Sequence, residues 1–150
     1  MGITEVLSGI KKIGLDTPVF IYYIEENKKY IDIVDYIFNE ISSDKRGLEV
    51  VASTVTLLEV LVNPIKTGNI ELAQRYERLL LHSRHLTIYP LTSEVAIKSA
   101  NLRAKYNLRT PDVIQIAVAI LEKANIFFTN DSALKKVTEI PIVILDELLK

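Results

Sequence analysis

Leu108–Asp131, LRTPDVIQIAVAILEKANIFFTND, is the stretch whose reading decides the fold. Thr110 is a good helix N-cap, and Pro111 just inside the helix gives up an N–H that had no partner anyway. Asp112 then falls in the first turn, where the helix dipole favours a carboxylate. From Val113 to Leu121 apolar side chains cover nearly every side, which predicts a helix buried over most of its surface. Ala124-Asn125 ends it, and Ile126 to Thr129 reads as a short buried strand. A helix runs opposite to the strand that follows it in an α/β unit. Asp112 and Asp131 therefore belong to one edge of a sheet, the carboxyl edge where open α/β sheets bind ligands.

The pattern repeats on either side. Ile13-Gly14-Leu15 is a short apolar strand followed by Asp16, and Thr17-Pro18 opens a helix through Glu26. Ile31, Val34, Ile37, Phe38 and Ile41 keep helical spacing up to Ser42. Leu48 to Ala52 forms a second strand, capped by Ser53 into a helix that carries Glu59 and stops before Pro64. A helix from Glu71 to Leu81, a strand from Leu86 to Tyr89 and a helix capped by Thr92-Ser93 lead to the decisive stretch. Beyond Asp131, one or two turns precede a last strand from Ile142 to Leu145. This alternation predicts an α/β fold: a central parallel sheet of about five short strands with helices on both faces.

Composition narrows the function. At 150 residues, with 49% hydrophobic and 25% charged residues and no Pro- or Gly-rich linker, the expectation is a single domain over residues 1–150. A net charge of −1 gives no global basic field, so any nucleic-acid contact must be local. With no cysteine, thiolate metal sites and disulfides are excluded. No apolar run has transmembrane length and no signal peptide is visible, so the expectation is a soluble, cytoplasmic protein without a membrane partner.

Four acids carry the chemistry. Taken singly each has a structural explanation: Asp16 and Asp131 can cap, Asp112 can serve the dipole, and Glu59 lies at the margin of the core. Jointly they do more. Asp16 and Asp131 each follow a strand, Asp112 opens a helix on the same edge, and Glu59 comes less than two turns into a helix that starts there. Four carboxylates at one edge repel one another unless cations hold them, and oxygen-only ligands suit Mg²⁺ or Mn²⁺.

The segments Leu15-Asp16-Thr17, Ser53 to Glu59, Arg109-Thr110-Pro111-Asp112 and Thr129-Asn130-Asp131 resemble the acidic motifs of PIN-domain ribonucleases. The likeness spans nearly the whole chain in order and is greatest to the small VapC-like toxins of toxin–antitoxin pairs. The resemblance implies a single PIN-like domain acting as a Mg²⁺- or Mn²⁺-dependent endoribonuclease on single-stranded RNA. It makes Asp16, Glu59, Asp112 and Asp131 the catalytic quartet, with Asp16, Asp112 and Asp131 on the metal. Thr17 and Thr129 support them as hydroxyl partners, Arg109 is a candidate RNA contact, and an antitoxin protein is the expected partner. Apolar surplus in the helices from Pro18 to Ile41 adds the expectation of a homodimer. Two departures stand out: Gln115 where the family often has histidine, and a longer lead before the first strand.

Two other readings compete. A phosphatase or phosphoacceptor built on Asp16 is disfavoured because no second acid follows two residues on. A PIN-like module that binds RNA or protein without cutting is disfavoured because such a site has no electrostatic reason to keep four acids together.

Overall fold

A computed structural model describes residues 1–149; Lys150, the last residue of the expected domain, lies outside them. Five parallel strands form one sheet: β1 (Lys12–Leu15), β2 (Glu49–Ser53), β3 (Leu86–Tyr89), β4 (Ile126–Thr129) and β5 (Ile142–Ile144). Their order is β3-β2-β1-β4-β5. In register, Ile13 lies beside Val50 on one side and Ile126 on the other. The chain first builds outward from β1 through β2 to β3, then returns to β1's other side for β4. The strand order reverses between β1 and β4. A doubly wound sheet opens its ligand crevice beyond the carboxyl ends of the strands at such a reversal.

Among the described residues α1 (Ile3–Val6) precedes the sheet, and six helices connect its strands: α2 (Thr17–Ile24), α3 (Ile31–Ser42), α4 (Thr54–Thr67), α5 (Ile70–His82), α6 (Ser93–Tyr106) and α7 (Thr110–Leu121). Alternating strand residues feed two cores. Ile13, Leu15, Val50, Ala52, Ile126 and Phe128 pack with Phe20, Val34, Ile37 and Tyr76 on one face. Val51 and Phe127 pack with Val95, Leu102, Val113, Ile116 and Val118 on the other. Helices on both faces and buried strands are the expected α/β architecture. Gly14 lets α7 approach the sheet: a Cβ there would stand 2.8 Å from Ala119 Cβ and from the Phe127 ring. No helix among the described residues is long and apolar enough to cross a membrane.

Three local expectations need correction. The helix caps are Asp16 and Arg109, one residue earlier than Thr17 and Thr110. Proline is tolerated at either of the first two helical positions because neither N–H has an intrahelical partner. Helix α4 does not stop before Pro64 but runs through it to Thr67, ending where Gly68 adopts φ 73°. Most of the apolar surplus of α2 and α3 is spent on the core: Val19, Phe20, Ile24, Ile33, Val34, Ile37, Phe38 and Ile41 are buried, and Ile21, Tyr22, Tyr23, Ile31 and Tyr36 are half-buried against it.

Candidate active site

Asp16 emerges from the end of β1, and its backbone N–H continues the ladder to Phe128 O at 2.9 Å. The residue is 5% exposed. Oδ1 accepts from Thr17 N at 2.8 Å, and Oδ2 from Thr129 Oγ1 at 2.7 Å. Burial pushes its pKa up to about 6, against the pull of the bonds from Thr129 and Thr17; the charges of Asp112 and Glu59 push the same way. The carboxyl is thus held in place by donors while its surroundings oppose its charge.

Glu59 reaches the same place from α4. Its Oε1 accepts from Thr17 Oγ1 at 2.6 Å and from Gln115 Nε2 at 2.9 Å. Thr17 Oγ1 also accepts from Gln115 Nε2 at 3.1 Å and lies 3.1 Å from Thr56 Oγ1. Three elements, α2, α4 and α7, thereby meet in one polar knot behind Asp16. Thr17, Thr56 and Gln115 are all buried.

Asp112, 7% exposed in the first turn of α7, is gripped from outside by Arg109. Arg109 Nε lies 3.1 Å from Oδ2 and Nη2 lies 3.4 Å from Oδ1. That bond and the charge of Asp112 raise the guanidinium above its ordinary value, with smaller contributions from Asp131 and Glu59. Asp131 stands apart. Its backbone N–H binds Thr129 Oγ1 at 3.1 Å, but its exposed carboxylate caps the 3-10 turn Ser132–Lys136 through Ala133 N at 2.9 Å.

The structure therefore joins Asp16, Thr17, Glu59 and Thr129 by hydrogen bonds and couples Asp112 to them by charge. Asp131 is left at the rim. Among the described residues no three His, Asp or Glu side chains close on one point as a metal-holding group. The donor chemistry nonetheless fits a hard divalent cation: every available ligand is an oxygen, and the buried carboxylates lack a full complement of positive charge. Asp112 and Asp131 are engaged by Arg109 and Ala133 N, partners a cation would have to compete with. Sequence reasoning placed Thr56 beside Glu59 without giving it a role and took Gln115 only for a departure. The available signal was a lone amide within an otherwise apolar run, on the helix that carries Asp112.

A family model for the PIN domain matches residues 13–140. Curated protein sequences give no match. Among solved structures, VapBC2 from Rickettsia felis bound to a DNA fragment from its promoter is similar, with TM-score 0.69 and 19% identity over 89% of this chain and 98% of that one. A toxin–antitoxin complex from Klebsiella pneumoniae gives TM-score 0.66 and 20% identity over 89% and 97%. DNA-bound VapBC from Salmonella typhimurium gives 0.65 and 19% over 89% and 98%. At these identities the likeness is one of fold.

Proposed function

This chain belongs to the PIN-domain family, and from that premise we propose that it is a Mg²⁺- or Mn²⁺-dependent endoribonuclease acting on single-stranded RNA, the toxin of a toxin–antitoxin pair. The observation that carries the reading is the buried pair Asp16 and Asp112 at the reversal point of the sheet, with Glu59 tied into the same polar network. Asp16, Asp112 and Asp131 would hold the cation. When bound, one or two such ions lower the pKa of a water and offset charge developing on the phosphate.

The chain's own groups do the rest. Thr17 N–H and Thr129 hydroxyl fix both oxygens of Asp16, so its carboxylate is oriented before any ligand arrives. Arg109, its side chain 77% exposed, offers a guanidinium beside Asp112 that can swing to a phosphate oxygen of the RNA. A protein partner is supported by Leu58, Val62 and Ile65, three exposed apolar residues spaced along one face of α4, the helix carrying Glu59. The solved structures of similar fold include complexes with antitoxins, which supports an antitoxin as that partner. Assembly as a homodimer and residence in the cytoplasm complete the reading.

The test is cleavage of a single-stranded RNA panel by the parent and by Asp112→Asn, at equal folded concentration with Mn²⁺ and again in EDTA. Cleavage by the parent with Mn²⁺ alone supports the reading. Equal cutting by both proteins removes the acidic edge from catalysis, and binding without cutting by both favours a non-catalytic module.

A further inference from the structure

Gln115 is the one polar side chain in the buried run Asp112–Ala119 whose role neither helix nor core accounts for. It is 3% exposed, flanked by Ile114 and Ile116 on a helix that otherwise packs apolar residues against the sheet. Its Oε1 is buried with no protein partner among the described residues. A buried amide with an unmatched carbonyl carries a desolvation penalty, which an apolar side chain of equal size avoids. Fold stability alone does not call for an amide here.

Its amide nitrogen serves two acceptors. Nε2 lies 2.9 Å from Glu59 Oε1 and 3.1 Å from Thr17 Oγ1 and donates toward both. Thr17 has one hydroxyl proton, and it lies on the 2.6 Å bond to the same Glu59 oxygen. Thr56 Oγ1, 3.1 Å away, can then only donate to Thr17. The Glu59 carboxylate can only accept, which fixes the sense of these bonds and the orientation of the amide: turned the other way, Gln115 would set two acceptors against each other at Glu59. One Glu59 oxygen is saturated with two donors.

We propose that Gln115 is a positioning residue: it locks the Glu59 carboxylate by Oε1 and leaves Oε2 as the oxygen free to take a proton, a water or a cation. This rests on the reading of the acidic edge as a nuclease centre. Gln115 itself touches none of the reacting groups; it acts through Glu59 and through Thr17, whose backbone N–H holds Asp16.

Gln115→Met tests it, since methionine keeps the length and removes the donors. The full-length variant melts within a few degrees of the parent, yet its kcat on single-stranded RNA with Mn²⁺ falls about tenfold while KM stays within about twofold. The double variant Gln115→Met/Glu59→Gln is no slower than Glu59→Gln alone. A parental kcat in Gln115→Met overturns the proposal, and so does a double variant whose loss is the product of the two singles. A second readout needs no catalysis: the Gln115 side-chain NH₂ protons should exchange slowly with solvent and shift on Glu59→Gln. Exchange as fast as at an exposed amide overturns the proposal. If the parent cuts no RNA, the nuclease reading falls while this signature still decides the role of Gln115.

Discussion

Thr129 donates its hydroxyl to Asp16 Oδ2 at 2.7 Å across adjacent strands β4 and β1, and both residues are buried. The bond lowers the pKa of Asp16, and burial still lifts it from 3.8 to about 6. A carboxyl whose folded pKa exceeds its unfolded one keeps its proton longer in the folded state. Its contribution to stability is therefore fully present below about pH 4 and declines as pH rises through the window to about 6. Asp16→Asn removes that decline. Without divalent metal, the variant should melt higher than the parent at neutral pH, by the equivalent of about 3 kcal/mol, and the gap should close toward pH 4. Thermal melts across this range check it; a variant less stable than the parent at pH 7 would show that the carboxylate's bonds outweigh its burial.

A second titration lies at the opposite edge of the sheet and runs in a higher window. His85 presents Nδ1 to Glu49 at 3.1 Å and Nε2 to Asp44 at 2.9 Å, so both ring nitrogens face carboxylates. The bonds to Asp44 and then Glu49 raise its pKa above 6.5. For a base with a raised folded pKa, the stabilisation is complete below the unfolded value and is lost as pH climbs through the folded one. His85→Asn keeps a residue that tolerates φ 65° but cannot carry the charge. The parent's advantage over this variant should be greatest at pH 6 and shrink toward pH 9. An advantage that stays constant over that range would mean that the ring acts through packing alone.

Arg109 sets the charge balance at the acidic edge. It is exposed and bound to Asp112, so as a contributor to stability it is weak, about 1 kcal/mol or less. As a competitor for the carboxylate it matters more. Arg109→Gln should lower the metal-free melting temperature slightly and tighten Mn²⁺ binding about fivefold, measured by the rise in melting temperature with added MnCl₂. Cleavage, if Arg109 moves to phosphate, should show a raised KM for RNA. Unchanged Mn²⁺ affinity would remove Arg109 from the contest for Asp112.

The alternation of strand and helix was legible where a short apolar run is closed by a capping residue, as at Leu15-Asp16 and Ala52-Ser53. The expectation that Asp112 and Asp131 share one edge followed from the antiparallel course of α7 and β4, and Asp16 joined them as the residue that closes β1. Other features depend on contacts that no local pattern carries. Asp131 caps the turn after its strand as Asp16 caps α2, yet it is exposed where Asp16 is buried, a difference that only the fold sets. Pro64 reads as a stop, yet it stands near the end of α4, where Gly68 supplies the actual termination. Gln115 meets Glu59 across 56 residues and Thr17 across 98, so its partners come only from the fold.

The sharpest test of shared action uses Asp16 and Asp112 together. They come from different elements, β1's end and the start of α7, and the charge of Asp112 opposes that of Asp16. If both serve one cation, losing either carboxylate removes the function of the pair. Asp16→Asn and Asp112→Asn should then each reduce cleavage about a hundredfold, and the double variant should lose little more. Independent roles would instead multiply, to about ten-thousandfold. Asparagine at position 16 can still accept from Thr17 N, and at position 112 it leaves the helix start intact, so folding should survive both changes. Cleavage rates of the four proteins under single turnover, with RNA binding measured alongside, separate the outcomes. Multiplicative losses with unchanged Mn²⁺ binding would mean that the two carboxylates act on different parts of the reaction, and the shared-cation reading would be lost.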